Sequence, residues 1–144
     1  MLIEHPESVT IVAVEGDDVV VVLQSRPGAR GRTVELPAGT LEEGEDPPAA
    51  AVRELREECS LAAGCWRAVG SFWAVPAYST ERVHVLEARE LTPCPGVPDA
   101  DEDIIVERRA LAQLPGALSD GTSMAAFALW AAVSAGARPG SRPR

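Results

Sequence analysis

Three observations predict a single mixed α/β (α+β) domain. Two β-branched runs, 9–14 (Val-Thr-Ile-Val-Ala-Val) and 19–24, flank a hairpin signal. A helix with a clear start covers 46–59, and a second long helix begins near 119 and stops at Gly136. Strands interleaved with two helices point to a layered architecture with a sheet at its centre. One core suffices for 144 residues, so residues 1–136 are read as one domain and 137–144 (Ala-Arg-Pro-Gly-Ser-Arg-Pro-Arg) as a disordered tail.

Each element has a local cause. Glu15-Gly16-Asp17-Asp18 links the first two runs as a tight turn. Residues 26–33 form a Gly- and Arg-rich loop, and Val34-Glu35-Leu36 a short strand that Pro37 stops. Residues 38–45 are expected to be an irregular connection. Asp46 caps the first helix, with Pro47 and Pro48 in its first turn, where a missing N–H is harmless. Residues 49–59 are mostly strong helix formers. Further strands are expected at 66–75, 82–89 and 104–108, and a short helix at 109–114 ended by Pro115-Gly116. Ser119 or Asp120 caps the second long helix, where Met124, Phe127, Trp130 and Val133 recur at helical spacing.

Composition excludes several function classes. Thirteen basic against 22 acidic side chains leave a net charge of −9, which argues against non-specific binding to nucleic acid or anionic lipid. The longest apolar run, 19–23, suits a strand and is far short of the ~18 residues of a membrane span. The first residues, Met-Leu-Ile-Glu-His-Pro, do not read as a secretory leader. All basic residues are Arg, which removes lysine chemistry. Cys59, Cys65 and Cys94 lack C-x-x-C spacing and a His cluster, so reduced thiols and a cytoplasmic location are expected.

The first helix carries the chemistry. On a helical wheel Glu54, Glu57 and Glu58 lie within about 100° of one another, while Val52, Leu55 and Cys59 share another stripe centred on Leu55. Like charges at these spacings repel, and acidic residues near a helix C-terminus oppose the macrodipole. Two readings remain at this stage: a solvated acidic face, or a site for Mg²⁺ or Mn²⁺, hard cations that prefer oxygen ligands.

Spacing adds a resemblance. Gly39, five residues, Glu45, seven residues, then Arg53-Glu54-Leu55-Arg56-Glu57-Glu58-Cys59-Ser60-Leu61 closely resembles the Nudix box, G-x5-E-x7-R-E-U-x-E-E-x-G-U with U apolar. The one departure is Ser60 in place of the last glycine. Holding a φ > 0 turn there without glycine costs about 1 kcal/mol and is expected to leave the carboxylates in place. The resemblance implies an α/β/α sandwich with a central mixed sheet and metal ligands at Glu54 and Glu58, with Glu57 as a further ligand. It implies that Arg53 orients these carboxylates and that Glu45 braces the loop against the helix. Its structural alternative for Arg53, an i,i+4 pair with Glu57, is compatible with that role. The general reaction is hydrolysis of a nucleoside diphosphate linked to another moiety.

Outside the box, the chain looks most like the ADP-ribose pyrophosphatase branch. Glu35-Leu36-Pro37-Ala38-Gly39 matches a segment whose alanine carbonyl binds metal, here Ala38. Gln24-Ser25-Arg26-Pro27 resembles a strand end that brings an arginine to the substrate. Val75-Pro76-Ala77-Tyr78-Ser79-Thr80-Glu81 resembles a further substrate stretch. The implied substrate contacts are Arg26, Glu35, Pro76 and Tyr78, and Gly39 is structural. An ordinary strand-terminating proline is the competing reading of Pro76, and strand packing that of Trp73 and Tyr78. In 99–103 (Asp-Ala-Asp-Glu-Asp), Glu102 is the implied positioner or base for the attacking water, with Glu57 the alternative base and a solvated acidic turn the competing view. The first strand begins near Val9, which leaves little room for the extra N-terminal strand of swapped dimers in that branch; a homodimer is left open. The expected activity is thus Mg²⁺-dependent (or Mn²⁺-dependent) release of AMP or another NMP and a sugar phosphate. The alternatives are a (deoxy)nucleoside triphosphate pyrophosphohydrolase and a non-catalytic nucleotide sensor; sensors commonly lack box glutamates, all of which are present here.

Overall fold

A computed structural model describes residues 1–96 and 103–136. The chain runs β1 (Ser8–Glu15), β2 (Asp18–Arg26), β3 (Gly31–Glu35), β4 (Ala38–Thr40), α1 (Pro47–Cys59), β5 (Leu61–Trp73), β6 (Arg82–Pro93), β7 (Ile105–Ala110), α2 (Leu114–Ala117) and α3 (Gly121–Gly136). Alternation within β1 and β2 organises these elements. Val9, Ile11, Ala13, Val20 and Val22 pack with Ala50, Ala51, Leu55 and Cys59 of α1. Val12, Val14, Val19 and Val21 pack on the opposite side with Leu114, Ala126 and Trp130. Successive strand side chains point to opposite faces, so a run that is apolar throughout demands cover on both. The result is the expected α/β/α sandwich on a mixed sheet. β1 pairs with β6 in parallel, and the remaining pairs are antiparallel.

Registers locate the opening in the sheet. β1 and β2 adjoin at their hairpin end, where Val14 faces Val19 and Glu15 faces Asp18. Farther along, β2 turns to β3, with Val22 opposite Glu35, and β1 turns to β4, with Thr10 opposite Ala38. The segment 35–40 is therefore wedged between two diverging strands. Pro37 separates β3 from β4 because it has no N–H for the ladder, yet its carbonyl accepts the Ile11 amide at 2.8 Å.

Several expectations are corrected. Residues 31–33 and 38–40 are strands, not loop, because β2 and β1 each offer an unpaired edge to them. β5 starts at Leu61, directly after the helix, and β6 extends to Pro93. Arg109 and Ala110 end β7, and the following turn is a 3₁₀ turn at Leu111–Gln113 that leads into α2, which contains Pro115-Gly116 rather than ending there. In α1 the buried stripe is Ala51, Leu55 and Cys59 with Ala50 and Glu54, and Val52 is exposed. In α3 the buried residues are Ser123, Ala126 and Trp130, while Met124 is exposed.

Helix α1 begins and ends as its flanks dictate. The Asp46 side chain accepts the Ala49 amide at 2.9 Å. Ser60 holds φ 54° and ψ 39°, with its N–H on the Arg56 carbonyl at 2.9 Å. A left-handed non-glycine residue at this cap is strained. Ser60→Gly is therefore expected to raise stability by about 0.5–1 kcal/mol in urea unfolding, with no change in the far-UV CD spectrum.

A buried carboxylate ties α3 to the sheet. Glu87 on β6 receives Trp130 Nε1 at 2.6 Å, Arg67 Nη2 at 3.0 Å and Arg89 Nη2 at 3.2 Å. Burial pushes this carboxyl up, but hydrogen bonds from Arg89, Trp130 and Arg67 outweigh it and hold it at about 2. Its stabilising contribution is complete above its ordinary value of 4.5 and fades as the pH falls toward 2. Glu87→Gln removes the charge that two partly exposed arginines share. It is expected to lower unfolding free energy by about 1–2 kcal/mol at pH 7 and to flatten the acid limb of a pH–stability curve.

Candidate active site

Arg53 of α1 is the hub of the site. Its five N–H groups meet five acceptors: Nε and Nη2 reach the two Glu45 oxygens at 2.9 Å each, and Nη2 also reaches the Thr40 carbonyl at 3.0 Å. Nη1 reaches Glu54 at 2.6 Å and Glu57 at 3.2 Å. The i,i+4 pair and the orienting contacts thus coexist. Hydrogen bonds from Arg53 hold the Glu45 carboxyl at about 2, and the same bonds raise the Arg53 guanidinium above its ordinary value. Glu45 also accepts the Glu42 amide at 3.0 Å, which closes the loop ahead of the helix.

Glu54 is buried although it is charged. Its carboxyl lies so close to the Gly39 backbone that a β-carbon at Gly39 would overlap it. One turn on, Glu58 accepts the Ala38 amide at 3.2 Å. The wedge between β1 and β2 therefore brings Ala38 and Gly39 onto two carboxylates of the helix. Cys59, next along, is pushed up to about 12 by burial, with the Glu58 charge adding to it, so the thiol stays protonated and serves packing.

Ala38, Gly39, Glu54 and Glu58 line a cleft of about 830 Å³. Arg26 and Glu35 line it too, joined by a two-pronged ion pair at 2.9 and 2.8 Å. Thr33 and Gln24 complete the hydrogen bonding of Glu35 at 2.7 and 3.1 Å. Burial pushes the Glu35 carboxyl up, but these bonds, that of Arg26 first, bring it below its ordinary value. The bond to Glu35 raises Arg26 in turn.

Other predicted residues are placed elsewhere. Glu57 faces a second hollow of about 590 Å³ with Val52, Arg53, Arg56 and Gly96. Among the described residues no three His, Cys, Asp or Glu side chains gather at one point, and Arg53 Nη1 bridges Glu54 and Glu57. Pro76 and Tyr78 lie on an exposed turn between β5 and β6 and do not line the cleft; the Tyr78 carbonyl instead accepts the Ile3 amide at 2.7 Å. Trp73 is exposed, with the Arg82 guanidinium 5.6 Å from its ring centre. Glu102 and the tail 137–144 lie outside the described residues.

Sequence reasoning missed part of the lining. Ser8 and Thr10 of β1, Glu81 ahead of β6, and Asp120 and Ser123 at the start of α3 all reach the cleft. Asp120 carried a signal as a helix cap, and Glu81 ended a stretch already noted. Ser8 and Thr10 carried none, since nothing local marks which strand end faces an opening.

The donor set suits a hard divalent cation: carboxylate oxygens and main chain crowded at Gly39, in a cleft lined, among the described residues, by five carboxylates (Glu35, Glu54, Glu58, Glu81, Asp120) and a single arginine.

Comparison with known proteins agrees. A family model described as NUDIX domain matches residues 4–127. The chain is 36% identical over 107 residues to the ADP-ribose pyrophosphatase of Bacillus subtilis (strain 168), covering 74% of this chain and 58% of that protein. It is 38% identical over 104 residues to the ADP-ribose pyrophosphatase of Mycobacterium tuberculosis (strain ATCC 25618 / H37Rv), covering 71% and 50%. The chain thus spans about half the length of these relatives. A solved structure titled "Crystal structure of ADP compounds hydrolase" superposes with a TM-score of 0.82 at 21% identity, covering 90% of this chain and 73% of that one, a likeness of fold. With the box residues gathered on one helix and loop, and the family model matching most of its length, the chain belongs to the NUDIX family.

Proposed function

We propose that the chain hydrolyses a nucleoside diphosphate linked to another moiety, ADP-ribose or a nucleotide sugar, to AMP or another NMP and a sugar phosphate. One observation carries the reading: Glu54 and Glu58 converge on Ala38-Gly39 in an acidic cleft. An anionic diphosphate gains little from such a lining unless a cation offsets it. The names of the curated relatives favour ADP-ribose over other diphosphates.

Glu54, Glu58 and the Ala38 carbonyl would hold Mg²⁺, or Mn²⁺ in its place; Glu57, which faces the second hollow, would join them only through water. The ion would neutralise phosphoryl charge and activate water. Arg53 aims the Glu54 carboxylate, and Glu45 holds Arg53. Arg26, positioned by Glu35, would steady the group beyond the diphosphate. Water adds across the P–O–P bridge, one P–O bond breaks, and each product keeps a phosphate. Glu57 or Glu102 would take the proton of the attacking water. Pro76 and Tyr78 have no part in this scheme, because they stand outside the cleft. Unpaired cysteines and the acid excess support a cytoplasmic location without a nucleic-acid partner. Among the described residues no helix is long and apolar enough to cross a membrane.

The test is chromatography of ADP-ribose incubated with the protein. AMP is expected with Mg²⁺ and is expected to vanish with EDTA, whereas absence of turnover of every nucleoside diphosphate at saturating metal refutes the reading. Glu58→Gln is expected to lower kcat by roughly a hundredfold or more with an unchanged CD spectrum. Gly39→Ala displaces the Glu54 carboxyl, and a drop in turnover of roughly tenfold or more is expected. Wild-type kcat in Gly39→Ala would show that the close approach is dispensable.

A further inference from the structure

Asp120 supplies the cleft with a carboxylate that the scheme above does not use. Its Oδ2 accepts the Ser123 amide at 3.0 Å, which caps α3. Its Oδ1 is buried and, among the described residues, has no hydrogen-bond partner. Asp120 lines the same cleft as Arg26 and Glu35. The Arg26 charge is already matched by the two-pronged pair with Glu35, so Asp120 leaves this part of the cleft net negative.

The start of a 16-residue helix would ordinarily attract a phosphate through its open amides and its dipole. Here the protein's own carboxylate occupies that position. The helix end is also fixed in place: Ser119 Oγ accepts the Val34 amide at 3.0 Å, and Ser123 Oγ accepts the Leu36 amide at 2.9 Å. Asp120 is therefore held at the cleft wall by both α3 and the strand that carries Glu35. The Asp120 charge at this wall repels a second anion, whereas a neutral hydroxylated group meets no such repulsion.

We propose that Asp120 is a specificity-determining residue that keeps phosphate away from the start of α3. The cleft then favours diphosphates whose outer end is a neutral, hydroxylated group over substrates that bear a third phosphate. Discrimination here is built from repulsion as much as from attraction. The substrate side of this inference rests on the hydrolase reading, but its anion-binding side does not.

Asp120→Asn and Asp120→Ser both retain a helix cap and remove the charge. Calorimetric titration with tripolyphosphate, without metal, reads the anion site directly. Both variants are expected to bind it roughly tenfold more tightly than the wild type. With Mg²⁺, the ratio of kcat/KM for ATP to that for ADP-ribose is expected to rise by a similar factor. Tripolyphosphate affinity equal to that of the wild type in both folded variants overturns the proposal. No AMP from ADP-ribose with wild-type protein would instead refute the hydrolase reading, and the metal-free titration would still decide the role of Asp120.

Discussion

The Arg53 guanidinium is the interaction on which the site depends. A helix with carboxylates at 54, 57 and 58 repels itself, and Glu54 is buried as well. Arg53 makes this arrangement tenable by spending all five donors on Glu45, Glu54, Glu57 and the Thr40 carbonyl. The same five bonds join three pieces of chain: the helix, the loop before it and β4. Lysine could not do this, having three donors and no planar fork.

Around that hub, the sheet supplies the space. β1 and β2 separate after two residue pairs, and the segment Glu35 to Thr40 fills the gap. Its main chain is presented to the helix because glycine stands at 39, where any side chain would collide with Glu54. Two buried carboxylates paired with partly exposed arginines repeat one pattern. Glu35 and Glu87 are both buried carboxylates that arginines hold below the ordinary range against the cost of burial. The first faces the cleft, and the second fastens α3 to the opposite face of the sheet.

Much of this was legible in the amino-acid order. The hairpin, the capped start of α1, its end at Ser60 and the identity of the box glutamates follow from signals within a few residues of each feature. Other parts were not. Ala38-Gly39-Thr40 reads as loop, because a three-residue strand has no period to detect and forms only where β1 offers an edge. Val52 reads as core by its apolarity, yet the helix is rotated so that Ala51 and Glu54 are buried and Val52 is exposed. That rotation goes with the packing of Ala50, Ala51, Leu55 and Cys59 on β1 and β2, strands distant in sequence.

Local patterning and spacing in the chain were enough for the layered fold, the family and the carboxylate-bearing helix, since each depends on short-range periodicity or on a motif of 23 residues. Tertiary structure alone decided which carboxylates share the cleft. It turned Glu57 toward a separate hollow, left Pro76 and Tyr78 on an outer turn, and brought Glu81 and Asp120 to the cleft that Arg26 also lines. The physical reason is that strand divergence and helix rotation are set by packing between segments distant in sequence. No single stretch carries that information.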